Sequence, residues 1–493
     1  MLNAKSIARS FHFPTLLPLR SSLSLSKCPW HTLTSKSSRR VARQMSTTAE
    51  TPHIEYNWIP RVEALEDYEP GGYHPIIIGD TLHNGRYQIA DKLGHGGYST
   101  VWLARDTLLK RYVALKVNTA SSVPREPKVL KALSKSCMAS PAHPGSRLVP
   151  DLLDEFEVRG PNGTHTCYTL TLAARNIRDA SPSLIPLDAA RALSYSLARA
   201  VAHVHSQGYV HGGLFTLPPL FVLRCLGLIL LSVLDVHLNN ALVALSSNFD
   251  DLSVEQLHEK YGRPRTVPVT QINGNGAPLP PNVPIQAVRP MYFGRSMDRL
   301  TLSTARLLLN DFGEAFSPAS EVRLGQDCHT PPGSRAPEAT FEPETPLTYG
   351  SDIWSLATAL WEILGMKPVF SNEFIPEDEI IAQHIDVLGP LPSDWWLRWE
   401  ARDEFFITES GQPTDSYSED KWPPLEEWFE VAVQKWRRQE GNEIGADEKA
   451  AFLDLMRRML MYRPEERLTA DEVLRSDWVI QWALPDYERS LKN

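Results

Sequence analysis

Cysteine is scarce in this 493-residue chain: Cys28, Cys137, Cys167, Cys225 and Cys328 are five in all, widely spaced and without a CxxC pair. An odd count at that spacing indicates neither a disulfide framework nor a zinc site, and it fits a reducing compartment. Long apolar runs are also missing. The most hydrophobic stretch, residues 213–234, is broken by Pro218, Pro219 and Arg224 and leaves only 225–234 uninterrupted, well short of the ~20 residues a membrane span needs. No secretory signal and no internal repeat is visible. Nor is there an excess of positive charge. With 50 Lys and Arg against 59 Asp and Glu the formal charge is −9, so direct contact with nucleic acid is not expected.

What the chain does contain is the material of a globular protein, 42% hydrophobic and 22% charged, enough for a large core. The charge is unevenly spread. Residues 1–49 hold eight Lys or Arg and no acid, which leaves 42 basic against 59 acidic residues, or −17, in the remainder. That acidic body suits a basic protein partner, or serves simple solubility. The Ser-, Arg- and Leu-rich composition of 1–49 is that of a mitochondrial targeting leader; the alternative is a start site placed too early, because Met45 follows RRVARQ and could itself initiate. The expected location is mitochondrial if the leader is real and cytoplasmic or nuclear otherwise.

Residues 50–86 read as an ordered but irregular extension, on the Gly-Gly and Pro signals of YEPGGYHPIIIGD. Strands are expected over 86–93, 98–104 and 112–117, the first two flanking a Gly-rich turn. A short helix follows over 125–135 with Pro127 in its first turn, where the missing N–H costs little. Helical periodicity marks 187–205, 351–365 and 450–461, and 470–479 reads as a capped helical segment. Residues 251–300, rich in Pro, Gly and Asn, carry no sustained period and read as an irregular surface spacer outside the core.

Several motifs carry chemistry. In Leu93, Gly94, His95, Gly96, Gly97, Tyr98, Ser99, Thr100 and Val101 the glycines let backbone N–H groups approach phosphate oxygens, although Ser99 stands where a third glycine is usual. Lys116, fifteen residues beyond Val101 in a VALKV strand, is placed to neutralise the α- and β-phosphates of a nucleotide. Glu126, ten residues further at the start of a helical pattern, is the candidate to pair with Lys116. Asp311-Phe312-Gly313 follows an apolar strand expected over 305–309 and offers a carboxylate for Mg²⁺. Ala336-Pro337-Glu338 begins 25 residues after Asp311, the spacing of an activation and substrate-docking segment. Asp352 and Arg467 complete the set, with Arg467 expected to form a buried ion pair with Glu338. One further motif is split: His211-Gly212 and Asp235-Val236-His237-Leu238-Asn239-Asn240 would read together as HGDVHLNN, but residues 213–234 lie between them.

The ordered set LGHGGYSTVW, VALKV, DFGEAF, RAPE, SDIWSL and RPEERLTADEVL resembles a eukaryotic serine/threonine protein kinase over about residues 87–479. YEPGGYHPIIIGD before RYQIADKLGHGGYSTVWLARD, with DFGEAF, resembles more narrowly the SR-protein kinases and their fungal relatives. The resemblance implies an α+β fold of two lobes: an N-terminal antiparallel β lobe with one helix over 87–172, and a mainly α-helical C-terminal lobe over 173–479, with the apolar insert 213–234, the spacer 251–300 and a tail at 480–493. It implies ATP and Mg²⁺ as cofactors and a protein substrate, Arg-Ser-rich in that family. Gly94, Gly96, Gly97 and Val101 would then cover ATP, Lys116 hold its phosphates and Glu126 orient Lys116. Asn240 and Asp311 would bind the metal, and Asp235 would orient and deprotonate the substrate hydroxyl. Gly212 takes the place of the usual Arg, so no Arg-mediated response to activation-loop phosphorylation is expected. His237 takes the place of a Lys, and HGDVHLNN is also similar to the HGDxHxxN of small-molecule phosphotransferases. The insert reads as a translated intron or gene-model error, since its removal restores the motif, or as a genuine insertion packed on the lower lobe. If it is genuine, the alternative to an active enzyme is a catalytically impaired pseudokinase scaffold.

Overall fold

The protein is described here by a computed structural model, which describes residues 54–139, 145–176, 184–213, 240–244, 249–272, 277–291, 300–365, 367–371, 375–407 and 411–492. The expectations for the leader 1–49, for Asp235 and for nearly all of the insert 213–234 lie outside the described residues.

The first lobe is a six-stranded antiparallel sheet with strand order β1-β2-β3-β4-β6-β5, formed by β1 (Thr81–Leu82), β2 (Tyr87–Gly96), β3 (Ser99–Asp106), β4 (Arg111–Asn118), β5 (Leu152–Gly160) and β6 (Gly163–Thr171). Alternation of large apolar and polar residues builds it: Tyr87, Ile89, Trp102, Val113, Leu115 and Val117 converge in one buried cluster with Phe156 and Cys167. The lobe's helix, α1 (Glu126–Ala139), begins one residue before Pro127, where no helical N–H is needed.

A three-stranded sheet, β11-β8-β7, joins β7 (Ala173–Asn176), β8 (Ala241–Ala244) and β11 (Leu307–Leu309) at the start of the second lobe. The last of these is shorter than expected, because residues 302–304 form a helical turn closed by the Thr301 and Thr304 side chains. The rest of the lobe is built by α2 (Leu187–Ser206), which packs on β11, and by α4 (Tyr349–Gly365), α5 (Glu377–Leu388), α6 (Ala446–Met459), α7 (Ala470–Leu474) and α8 (Leu484–Lys492), while α3 (Val254–Tyr261) belongs to the spacer. In α4 every residue from Asp352 to Gly365 is buried, as befits a helix that is apolar on all sides. Thr469 caps α7 through a reciprocal bond pattern with Glu472.

Two boundaries need correction. The spacer is not irregular throughout. Ser253 and Gln256 form a capping box that starts α3, and β9 (Arg265–Pro268) pairs antiparallel with β10 (Gln286–Arg289). Leu257 is wholly buried beneath the first lobe's Ala90 and Leu103, and Val269, Val283 and Ala287 pack on Tyr56, Tyr68 and Tyr73. Periodicity failed here because each element is short and its apolar partners lie far away in sequence. The tail is likewise part of the lower lobe: Tyr487 packs 4.7 Å from Tyr195, and Asp486 accepts from Arg191. Among the described residues no helix is long and apolar enough to cross a membrane.

Candidate active site

The Gly-rich sequence forms the β2–β3 hairpin, closed by the Gly96–Ser99 pair with Tyr98 exposed at its tip. A Cβ added to Gly94 or Gly96 would meet no protein atom within 4 Å, so these glycines leave room for something other than the chain itself. Register then places Lys116. It stands directly opposite Val101, and directly paired residues share a face of the sheet. Thr100 faces the other way, fully buried, its hydroxyl accepting from the Trp102 indole at 2.9 Å. Thr100 can therefore meet a nucleotide only through its backbone. His95 is mostly buried, and burial lowers its imidazole below the ordinary value, which leaves the ring neutral at pH 7. Leu93 packs partly on Ala90 and Leu103 at the base of the hairpin.

Lys116 Nζ donates to Glu126 Oε2 at 2.7 Å and lies 3.4 Å from Asp311 Oδ1. Burial works against its charge, but Glu126, Tyr168 and Asp311 outweigh it and hold the ammonium well above its ordinary range. Glu126 is 1% exposed and has further partners. Tyr168 donates to Oε2 at 2.6 Å, and the Phe312 amide donates to Oε1 at 3.1 Å. One carboxylate thus ties α1, β4, β6 and the segment after β11 together. Tyr168 was missed from sequence. Alternation across 163–171 marks a strand, but nothing local places that strand beside β4 or singles out this tyrosine.

Asp311 sits in the left-handed region at φ +62°, a conformation uncommon outside glycine, asparagine and aspartate. Phe312 beside it is wholly buried, edge-on to His211 at 4.8 Å. Burial lowers the His211 imidazole despite the nearby Asp352 and Asp311, and its Nε2 lies 3.2 Å from the Asn310 carbonyl. As a carbonyl only accepts, that nitrogen carries the proton.

Asp352 anchors the first half of the split motif. It accepts from the amides of His211 at 2.7 Å and Gly212 at 2.9 Å, and lies 2.9 Å from His205 Nε2. Burial opposes its charge, yet these partners hold the carboxyl below its ordinary value. Gly212 adopts φ +67°, and a Cβ there would lie 3.0 Å from the Glu314 carbonyl. Both facts favour glycine. In the second half, Asn240 is buried and its amide donates to the Gly213 carbonyl at 2.6 Å. Its backbone carbonyl accepts from the Asn310 backbone amide at 2.8 Å, which brings Asn240 beside the residue that precedes Asp311. An amide and a carboxylate are the hard oxygen donors that Mg²⁺ prefers, so these two residues fit that metal. Asp235 lies outside the described residues.

Farther along, Arg467 meets Glu338 through two parallel bonds of 2.8 and 2.6 Å and also donates to the carbonyls of Met461, Gly350 and Tyr462. The acidic run 377–379 is largely committed within the fold. Glu377 accepts from Arg335 and Thr340, and Asp378 accepts from the Trp399 indole.

Comparison with known proteins agrees with this geometry. Residues 300–479 match the family model of the protein kinase domain, a match that begins after the insert and at the end of the spacer. A serine/threonine protein kinase of Aspergillus fumigatus is 27% identical over 432 residues, 85% of this chain and 90% of that protein. Protein kinase dsk1 of Schizosaccharomyces pombe is 26% identical over 488 residues, 86% of each. SRSF protein kinase 3 of Homo sapiens is 40% identical over 120 residues, 23% of this chain and 20% of that protein. By its catalytic-domain match and these relatives, the chain is similar to serine/threonine protein kinases, SR-protein kinases among them.

Proposed function

We propose that this kinase transfers the γ-phosphoryl group of ATP to serine or threonine hydroxyls of Arg-Ser-rich proteins. The observation that carries the reading is Lys116 held between Glu126 and Asp311 on the sheet face under a Gly-rich hairpin. Fixed in that way, Lys116 would pair with nucleotide phosphates without having to reorganise, which is where positional catalysis gains most. The hairpin amides would bind phosphate oxygens from above. Asn240 and Asp311 would hold Mg²⁺, whose charge offsets that of the transferring group. Asp235, where it follows Gly212 directly, would orient the substrate hydroxyl and take its proton. The substrate class is supported by the acidic body of the chain, −17 outside residues 1–49, and by similarity to a relative named for SRSF proteins.

The test is phosphate transfer from labelled ATP with Mg²⁺ onto an Arg-Ser peptide, beside a basic protein without Ser-Arg repeats and a set of small alcohols. Transfer to the peptide that is lost in Lys116→Met and Asp311→Asn is the expected result. Nucleotide binding without transfer to any acceptor would mean a scaffold instead, and transfer to small alcohols alone would sink the protein-substrate reading.

A further inference from the structure

The segment before the first lobe is fastened to the Gly-rich strand from behind. Tyr68 and Tyr73 pack 5.5 Å apart in a buried cluster with Leu65 and the spacer's Val283 and Ala287. From that cluster two connections reach β2. Glu63, buried, pairs with the wholly buried Lys92 and accepts from the Tyr68 hydroxyl at 2.5 Å. Nearer the turn, the Tyr73 hydroxyl donates to the carbonyl of Gly96 at 2.7 Å. The segment is itself anchored to the sheet, since Ala120 and Ser121 donate to the carbonyls of Gly72 and Gly71, and Gly71 donates to Asn162.

A Gly-rich hairpin gains its phosphate-binding ability from the absence of side chains, and the same absence leaves it loose. Its amides act only if they stand at the right height above Lys116. Gly96 is the last residue of β2 before the turn, so a bond to its carbonyl acts where the hairpin would otherwise move most. We propose that Tyr73 is a positioning residue for the nucleotide: its hydroxyl tethers Gly96, and the Glu63–Lys92 pair holds the strand that leads to it. This rests on the reading that the hairpin covers ATP. It also gives the 54–80 segment a role in the reaction that no kinase motif assigns to it.

The experiment uses the full chain and Tyr73→Phe, which keeps the ring and removes only the hydroxyl. Hydrogen–deuterium exchange without nucleotide should quicken in residues 93–101 by about 3- to 10-fold, the equilibrium equivalent of one hydrogen bond, and stay unchanged across α4 and α6. Mg·ATP affinity, by calorimetry, should weaken by a similar factor, with KM for ATP raised and kcat little changed wherever transfer is measurable. A merely structural role would instead quicken exchange throughout the lobe. Unchanged exchange at 93–101 overturns the tether. Faster exchange there with unchanged Mg·ATP affinity overturns the positioning role. A wild-type chain that binds no Mg·ATP overturns the proposed function and the positioning role together, while the exchange result still judges the tether.

Discussion

Removing residues 213–234 should convert the chain into a much faster kinase. The nearest described residues on either side of the gap lie together: the Asn240 side-chain amide donates to the Gly213 carbonyl at 2.6 Å, so Gly212 and Asn240 are separated by little more than one side chain's reach. After removal, Gly212 and Asn240 would be linked by the five residues 235–239, which can span roughly 17 Å when extended, more than the gap requires. Gly212 is independently fixed by Asp352 and its left-handed backbone. Asp235 would therefore take the place Gly213 now holds, with its carbonyl available to the Asn240 amide. A positioned proton acceptor contributes about 10²- to 10⁴-fold, or roughly 3–5 kcal/mol at 1.36 kcal/mol per decade. The assay is initial-rate phosphorylation of an Arg-Ser peptide by the full chain, by the shortened chain and by the shortened chain carrying Asp235→Asn. Expected is a gain of at least 100-fold on shortening, lost again in Asp235→Asn. If the shortened chain binds Mg·ATP as tightly as the full chain yet transfers no faster, the reasoning is wrong.

Glu338→Gln leaves the Arg467 guanidinium, whose side chain is fully buried, without its counter-charge. Breaking a buried pair by changing one partner costs about 3–5 kcal/mol, so the urea midpoint should fall steeply, and a loss under about 1 kcal/mol would show the carbonyl bonds suffice. Glu126→Gln keeps the shape but removes the charge that balances Lys116. Mg·ATP affinity should drop at least several-fold, and an unchanged affinity would refute the ion-pair role. Asp91 gives a pH test, because burial raises its carboxyl from 3.8 to about 7. A raised acid favours the folded state when protonated, so this contribution is complete below pH 3.8 and is lost as pH rises through about 7. The loss approaches roughly 4 kcal/mol by pH 8. Asp91→Asn should therefore be more stable than the parent at pH 8 and lose most of that advantage by pH 4; parallel pH profiles of unfolding would count against it.

Legibility followed the length of the signal. Lys116, Glu126, Asp311, Glu338 and Arg467 could be named from sequence because each sits in a short motif at a recognisable distance from the others, and the structure joins Lys116 to Glu126 and Asp311, and Arg467 to Glu338. Tyr168 and Tyr73 could not be found that way. Their functional atoms are hydroxyls that bond residues 42 and 23 positions away, and no local pattern distinguishes such a tyrosine from one that merely fills a core. Thr100 lies inside a recognised motif, but the β3 alternation turns its side chain toward Trp102, so only its backbone is left to face the hairpin's open side. The spacer was misread because α3 and the β9–β10 hairpin gain their burial only from the first lobe and the segment before it.

Glycine at position 212 also bears on how the activation segment is ordered. An arginine at that position would offer a charge to a phosphorylated residue, and Gly212 offers none. Order comes instead from carboxylates within the segment. Arg323 donates to Glu314 at 2.6 Å and to Glu321 at 3.2 Å, and Glu321 is paired with Arg125, the residue that precedes Glu126 at the start of α1. Exposed pairs of this kind contribute little singly, but here Arg323 is mostly buried, and the segment's own partners hold it above its ordinary range against the burial that would lower it. The chain of charges runs from the activation segment to the helix that carries Glu126. Residues 314–323 are thereby connected by charge contacts to Arg125, next to Glu126, using groups already present in the unmodified sequence.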